Sequence, residues 1–436
     1  PRTVLIIDWF LLIIMIGGSR LVWRMWSEKK QFEDVGREAP KTRALIYGAG
    51  DKGVYLLKHL RSDSPEYLVE GFIDDDPSKK NSSIMGVKVF GGAKDLSMIV
   101  SGKGIHEILI SINNISSEGL SKIIDSCNKS QAKFKMVAST IDSSNHERVI
   151  SKIKNIEISD LLDREAVVLD LSLIKSTIKG KRVLVTGAGG SIGSELCRQI
   201  LEYEPSSMVM IDIGENYLYE LKIFLGISVS KCEMHFIFGS VTNEAKMEAL
   251  FEKYRPQLVF HAAAHKHVPI MEDNIDAAIV NNVLGTKITA DLSAKFDTEN
   301  FILISTDKVV NPTSIMGRTK NIAEKYIQSL SKEIKTKFIT VRFGNVLGSN
   351  GSVVPLFQKQ IQQGGPVTIT HPEMTRFFML IPEAVQLILQ AITIGAKREV
   401  FLLDMGKPVR IVDLADNMIK LAGYIPGKEI KKEFSG

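Results

Sequence analysis

The apolar run Arg182–Thr186 (RVLVT) passes straight into Gly187-Ala-Gly-Gly190-Ser-Ile-Gly193 and then into a helical pattern. A buried strand that turns on glycine into a helix is the opening of a β-α-β unit, because parallel strands need a crossover between them. Glycines at this spacing, with Ser191 and Ile192 between them, let the backbone approach a pyrophosphate, whose charge the helix N-terminus favours. Asp212 stands 19 residues past Gly193, at the end of the next strand pattern, Met208–Ile211. A carboxylate there accepts the hydroxyls of an adenosine ribose and repels a 2′-phosphate, so the spacing favours NAD over NADP.

Further strand patterns follow at His235–Phe238, Leu258–Phe260, Phe301–Ile304 and Phe338–Val341, with helical periodicity between them. A first unit nearer the N-terminus is written the same way. Ala44–Tyr47 leads into Gly48-Ala-Gly50-Asp-Lys-Gly53, Val69–Ile73 ends in Asp74-Asp75-Asp76, and Ile108–Ile112 comes third. Alternating strand and helix predicts an α/β chain with two tandem Rossmann-like, doubly wound parallel sheets. A lone glycine turn is a weak sign of a ligand, and only the second unit is followed by candidate catalytic residues. The expected domains are an N-terminal one over 43–145, a polar connector over 146–165 and a catalytic one over 166–436.

The first 26 residues read differently. Val4 to Ile16 is apolar but for Asp8, and through Ser19 the stretch has 16 residues. A membrane span needs roughly 20, so this is read as the end of a transmembrane segment that starts before Pro1. Arg20, Arg24, Lys29 and Lys30 follow, which places everything after them on the cytoplasmic side of an inner membrane by the positive-inside rule. Residues 27–42 (SEKKQFEDVGREAPKT) read as a linker. The net charge of +5, from 55 basic and 50 acidic residues, comes with no basic-aromatic stripe, so no nucleic-acid partner is expected. Cys127, Cys197 and Cys232 lack metal or redox spacing and read as reduced core thiols.

Two further segments carry chemistry. The run His261-Ala-Ala-Ala-His265-Lys-His267 follows a strand directly. Its histidines have no carboxylate or cysteine nearby to complete a metal set, and no metal is expected. Ala262, Ala263 and Ala264 suit backbone contact with a dinucleotide, and Lys266 suits a phosphate or the substrate. Ser240 and Val241 follow the third strand and are further candidates for contact with the dinucleotide. The second segment is Thr306-Asp307-Lys308 at the end of a strand, followed by Met316 and Lys320. Positions i and i+4 share one helix face, so Met316 and Lys320 are expected to point together into the cleft. Asn345, Ser349 and Asn350 lie in a glycine-rich loop suited to a diphosphate, Arg376 suits a phosphate clamp, and Thr368 is a further candidate for the nucleoside of such a substrate.

The glycine spacing is that of the extended short-chain dehydrogenase/reductase group, whose ordinary members carry Tyr-x-x-x-Lys where this chain has Met316 and Lys320. The segments TGAGGSIGSEL, HAAAHKHVPIMEDN, ISTDKVVNPTSIMGRTK, VRFGNVLGSNGSVVPLF and VTITHPEMTRFFM resemble the membrane-bound UDP-N-acetylglucosamine 4,6-dehydratases of bacterial surface-glycan and glycoprotein-sugar synthesis. The resemblance covers nearly the whole chain, and the Tyr-to-Met change marks a subgroup of that family. It implies a UDP-sugar substrate, a resident NAD, a homo-oligomer, and a chain that continues past Gly436. It implies that C4 of the sugar is oxidised, water is lost across C5 and C6, and the hydride returns to C6. Lys308, made neutral by burial and nearby positive charge, would be the base at C5, and Asp307 the acid at the C6 hydroxyl. Thr306 would bond the C4 oxygen, Lys320 would orient the nicotinamide ribose, and Met316 would shape the pocket. Ser240 stands where the family commonly has an Asp that meets the adenine amine. Two other readings stay open: a nucleotide-sugar epimerase, and a non-catalytic, membrane-tethered NAD-binding regulator.

Overall fold

The structure, a computed structural model, describes residues 42–435 apart from 65, 113–114, 131, 142–147, 162–168, 227–231 and 331–332, together with residues 15, 18 and 20. The apolar run from Val4 and the linker up to residue 41 therefore fall almost wholly outside the described residues. Among the described residues no helix is long and apolar enough to cross a membrane. The chain divides into two units, Pro1–Glu157 and Ile158–Gly436.

The N-terminal unit is a seven-stranded sheet of β1 (Thr42–Tyr47), β2 (Tyr67–Ile73), β3 (Ser83–Ile84), β4 (Val87–Gly91), β5 (Glu107–Ile110), β6 (Lys133–Ile141) and β7 (Arg148–Lys154), in the order β3-β4-β2-β1-β5-β6-β7. Strand β1 is central because Ala44 to Tyr47 have apolar neighbours on both faces and no face left for water. Helix α1 (Asp51–Asp63) makes the crossover from β1 to β2. The pattern Ile108–Ile112 runs two residues past the end of the strand and starts one late, since β5 spans Glu107–Ile110.

The larger difference is β7, which pairs antiparallel with β6 inside the stretch read as a connector. Its sequence, RVISKIK, mixes three cations into a β-branched alternation. Charges of this kind suit an edge strand, where they discourage pairing with another chain, and they make it look like a linker.

In the C-terminal unit, β8 (Arg182–Thr186), β9 (Ser207–Asp212), β10 (Glu233–Phe238), β11 (Leu258–His261), β12 (Asn300–Thr306), β13 (Lys337–Phe343) and β14 (Val400–Leu402) form a second sheet in the order β10-β9-β8-β11-β12-β13-β14. All its pairings are parallel. Alternate residues face two separate cores. Val183 and Val185, Met208 and Met210, Leu258 and Phe260 pack on one side. Leu184, Val209, Ile211, Val259, Phe301 and Leu303 pack on the other. Burial on both faces is why these strands read as unbroken apolar runs. The strand order reverses between β8 and β11, and a ligand crevice opens at such a switch point beyond the carboxyl ends of the strands.

Phe301 has no exposed surface, and its ring centroid lies 5.4 Å from that of Phe338 and 5.9 Å from the His261 ring. Replacing Phe301→Ala is expected to cost about 3–5 kcal/mol of stability. Urea unfolding of the two proteins checks this, and a loss below about 1 kcal/mol would mean the site collapses around the deletion.

Candidate functional site

The crevice beyond β8 is built on backbone contacts that leave no room for a side chain. Gly187 has φ +64°, and a Cβ there would lie 2.6 Å from the Ala263 nitrogen. A Cβ on Gly193 would lie 2.0 Å from the Gly187 carbonyl oxygen, whereas one on Gly190 meets only that oxygen, at 3.3 Å. So Gly187 and Gly193 seat helix α2 (Ser191–Glu202) against the turn and the Ala262–Ala263 segment, while Gly190 opens the approach. Helix α2 has Gly190 at its N-cap and no side-chain cap, which suits an anion at its end.

Asp212 is buried at the end of β9. Its Oδ2 accepts the Gly189 N–H at 2.9 Å and its Oδ1 the Gly214 N–H at 2.8 Å. A carboxylate offers about four acceptor positions, so each oxygen keeps one for a ribose hydroxyl. Ser240 Oγ accepts the Thr242 N–H at 3.1 Å and pairs with the Thr242 hydroxyl at 2.7 Å. Val241 packs in the core. Glycine cradle, uncapped helix and half-engaged carboxylate together fit a dinucleotide with an unphosphorylated ribose.

The strand end at Thr306 gathers the acid–base residues. Thr306 Oγ1 donates to Asp307 Oδ1 at 2.9 Å, and Lys308 Nζ donates to the same oxygen at 3.0 Å. Asn345 Oδ1 accepts from Lys308 Nζ at 3.2 Å, so Asn345, read as a diphosphate contact, stands beside the candidate base. Lys308 was expected to be buried. Its side chain is instead 38% exposed and ion-paired with Asp307. A Cβ on Gly344 would come 3.3 Å from Asp307 Oδ2, so that glycine leaves this oxygen room.

Helix α3 (Ile315–Ser329) starts at Ser314, whose hydroxyl accepts the Gly317 N–H. It packs so closely that a Cβ on Gly317 would lie 2.5 Å from the Lys308 carbonyl oxygen. Met316, Lys320 and Glu324 share one buried face of it. Met316 was expected to point into the cleft. It is 4% exposed and packs in a small apolar cluster with Met271 and Ala278. Lys320 Nζ donates to the Ile304 carbonyl at 2.8 Å, two residues before Thr306. Burial pushes its amine down to about 8, opposed by the Glu324 carboxylate. Glu324 is clamped by Arg342 of β13, whose Nε lies 3.1 and 3.0 Å from the two carboxylate oxygens.

A polar network ties these pieces together, and its key member was not singled out in the sequence. Asn282 has no exposed surface and lies in a π-helical turn, Val280–Leu284. Its Oδ1 accepts the His265 N–H, and its Nδ2 donates to the His265 carbonyl and to Thr319 Oγ1. One side chain thus pins the Ala262–Lys266 loop to α3. The surrounding bonds fix the His261 tautomer. The Thr286 hydroxyl donates to the Asn282 carbonyl at 2.7 Å, so His261 Nε2 must donate to Thr286, at 3.0 Å. Nδ1 then accepts from Thr186 at 2.8 Å. Burial, with the Lys320 charge adding to it, pushes the imidazole down to about 3, which keeps it neutral. A π-turn carrying a buried Asn is the signal in hindsight, but nothing in the NNVLGT run announces it.

The remaining predicted contacts are spread out. The Asn350 N–H donates to Ser191 Oγ at 3.2 Å, which brings its loop over the first turn of α2. A Cβ on Gly351, at φ +69°, would lie 2.3 Å from His267 Cε1. The Ser349 hydroxyl donates to the Val346 carbonyl of its own loop. Ala264 and Lys266 are exposed on their loop. Thr368 Oγ1 accepts from Gln360 at 2.7 Å, and Arg376 Nη1 donates to the Thr375 carbonyl at 2.9 Å. Both are exposed, and neither engages another predicted site residue.

Residues 183–436 match the family model described as polysaccharide biosynthesis protein. The chain belongs to this family. Residues 2–138 match a second model, described as a CoA-binding domain. The probable polysaccharide biosynthesis protein EpsC of Bacillus subtilis is 43% identical over 98% of this chain and 71% of its own length. Over about half of the chain two different enzymes are equally similar. A UDP-N-acetylglucosamine 4,6-dehydratase (inverting) of Campylobacter jejuni is 34% identical over 48% of this chain and 63% of its own. A UDP-glucose 4-epimerase of Rickettsia canadensis is 33% identical over 51% and 65%. Among solved structures, the dTDP-glucose 4,6-dehydratase DesIV of Streptomyces venezuelae, with NAD and TYD bound, shares the fold at a TM-score of 0.53 and 17% identity, over 58% of this chain and 85% of its own.

The depressed Lys320 gives a pH signature. The unfolded chain keeps this proton to about 10.5 and the folded one releases it near 8. Between those values the unfolded state binds more protons, so the Lys320 contribution to stability rises with pH. Chemical denaturation at pH 8 and pH 10 should show the wild type gaining on Lys320→Met. A constant difference would mean that the amine is not desolvated.

Proposed function

We propose that the chain is an NAD-dependent nucleotide-sugar 4,6-dehydratase acting on UDP-N-acetylglucosamine in bacterial surface-glycan or glycoprotein-sugar synthesis. The observation that carries the reading is one of position. Where a simple dehydrogenase or 4-epimerase needs a Tyr base, Met316 is buried among apolar side chains, while Thr306, Asp307 and Lys308 form one connected acid–base set. The Campylobacter relative supports the reaction and the sugar, and the family supports the biosynthetic setting.

The Gly187 turn and Asp212 would hold NAD, which when bound would supply the hydride acceptor for C4 and donor to C6, so that no outside reductant is consumed. The residues do the rest. Thr306 accepts the C4 hydroxyl proton while passing its own to Asp307, a relay already drawn by their hydrogen bond. Once C4 is a ketone, the C5 proton is acidic. In its neutral form Lys308 removes it, with Asn345 and Asp307 fixing the direction of its amine, and returns it to C5 as the hydride reaches C6. Asp307, now carrying a proton, donates it to the departing C6 hydroxyl. Lys320 would hold the nicotinamide ribose, and it is burial of the amine beside the crevice that depresses its pKa. Asn350 and Ser191 lie at the pyrophosphate end, and Lys266, exposed nearby in sequence to the Ala262–Ala264 lining, reaches for the sugar diphosphate. Tethering to the cytoplasmic face of the inner membrane through the first 26 residues, and assembly as a homo-oligomer, belong to the same proposal.

Incubation of the purified protein with UDP-N-acetylglucosamine and no added NAD should yield a product lighter by one water, with a new methyl signal in proton NMR. The epimer without water loss would favour the epimerase reading. Lys308→Ala should reduce turnover by at least about 100-fold, the scale of general-base catalysis, and leave NAD bound. Ordinary turnover by that variant would remove Lys308 from the mechanism.

A further inference from the structure

The N-terminal unit repeats the construction of the crevice in the catalytic unit, on a glycine turn one residue shorter. Gly48, at φ +109°, abuts the end of β5, where its Cβ would lie 2.6 Å from the Ser111 carbonyl oxygen, as Gly187 abuts the segment after β11. A Cβ on Gly53 would lie 1.9 Å from the Gly48 carbonyl oxygen, the counterpart of Gly193 on Gly187. Helix α1 also starts at a glycine, Gly50, with no side-chain cap. Asp74 ends near β2 as Asp212 ends β9. Its Oδ2 accepts the Ala49 N–H at 2.7 Å and its Oδ1 the Asp76 N–H at 3.0 Å. These are the turn amide and the amide two residues on, the same pair that Asp212 engages.

Two observations go beyond a shared scaffold. A cleft of about 320 Å³ opens at this switch point, lined by the Gly48–Gly50 turn, Lys52, Asp74, Asp75, Lys79 and Ser111, and ligand sites begin near this size. The Ser111 hydroxyl is buried and has no hydrogen-bond partner. A buried hydroxyl left unpaired is costly in a folded protein, and a ligand in the cleft can satisfy it.

The charge at the ribose end selects the ligand. Asp74, Asp75 and Asp76 stand together there, answered by Lys79, whose Nζ lies 2.9 Å from Asp74 Oδ2. With the Ala49 amide, Lys79 fills that oxygen, and Oδ1 keeps one acceptor position. At that end the two lining carboxylates, Asp74 and Asp75, against the one ammonium of Lys79 disfavour a phosphate on the ribose, such as the 3′-phosphate of coenzyme A, while Lys52, in the first turn of α1, lines the diphosphate end. One open carboxylate position suits a free ribose hydroxyl. We propose that this cleft is a second nucleotide site, which binds a nucleoside 5′-diphosphate with an unphosphorylated ribose: its diphosphate at the Gly48–Gly50 turn and the N-terminus of α1, its ribose at Asp74, and a polar atom at Ser111. A dinucleotide and a nucleotide sugar both carry this group. The site does no chemistry and stands or falls separately from the catalytic reading.

Hydrogen exchange on the full-length holoprotein, with ADP, UDP or CoA added, tests this by location. ADP or UDP should protect the amides of 48–53, and whichever acts at lower concentration names a dinucleotide or a nucleotide sugar as the source. Asp74→Ala should abolish that protection. Ser111→Ala, which removes only an unpaired hydroxyl, should keep the fold and weaken binding by about 3- to 10-fold, the worth of one hydrogen bond. Failure of both nucleotides to protect the turn, protection by CoA at lower concentration than either, or Ser111→Ala binding as tightly as wild type would overturn the proposal.

Discussion

No side chain fits between Gly187 and Gly193, and the rest of the catalytic unit is arranged around that contact. Because a Cβ at Gly193 would lie 2.0 Å from the Gly187 carbonyl, helix α2 can sit directly on the turn. The carbonyl ends of β8 and β11 then stand close enough for the alanines after His261 to line the same crevice. Everything else positions groups around this opening. Asp212 holds the turn amide from one side, Asn350 reaches Ser191 from another, and Asn282 pins the alanine loop to α3. The glycines do not bind anything by themselves. They let three backbone segments approach until their amides can be shared with a ligand.

The fold and the cofactor crevice were legible because backbone demands write themselves into sequence plainly. A two-sided sheet requires unbroken apolar strands, and a close helix–strand contact requires glycine at fixed spacing. Asp212 could be placed for the same reason, since its distance from the turn is set by one helix and one strand. Strand β7 was not legible, because an edge strand needs neither property and its cations made it look like linker. Asn282 was missed because its importance lies in a π-helical turn and in partners 17 and 37 residues away. No local pattern reports either.

The polar cluster at the end of β12 was legible in its members but not in their environment. Thr306, Asp307 and Lys308 could be named from their place after a strand. That Lys308 is partly exposed and Lys320 deeply buried could not, because burial depends on which neighbours fold over each. The consequence bears on mechanism. Lys308 is held by hydrogen bonds to Asp307 and Asn345 rather than in a dry pocket, so in the proposed reaction the entering sugar would supply the desolvation. Met316 is tucked against Met271 and Ala278, and in the proposed reaction this leaves the proton of the C4 hydroxyl to Thr306 and Asp307.

The central claim is that hydride leaves and returns within one active site. UDP-N-acetylglucosamine labelled with deuterium at C4 tests it most directly. The account predicts that the product's methyl group carries the label after turnover without added NAD. Label found on released, reduced cofactor, or retained at C4 of an unchanged or epimerised sugar, would contradict it.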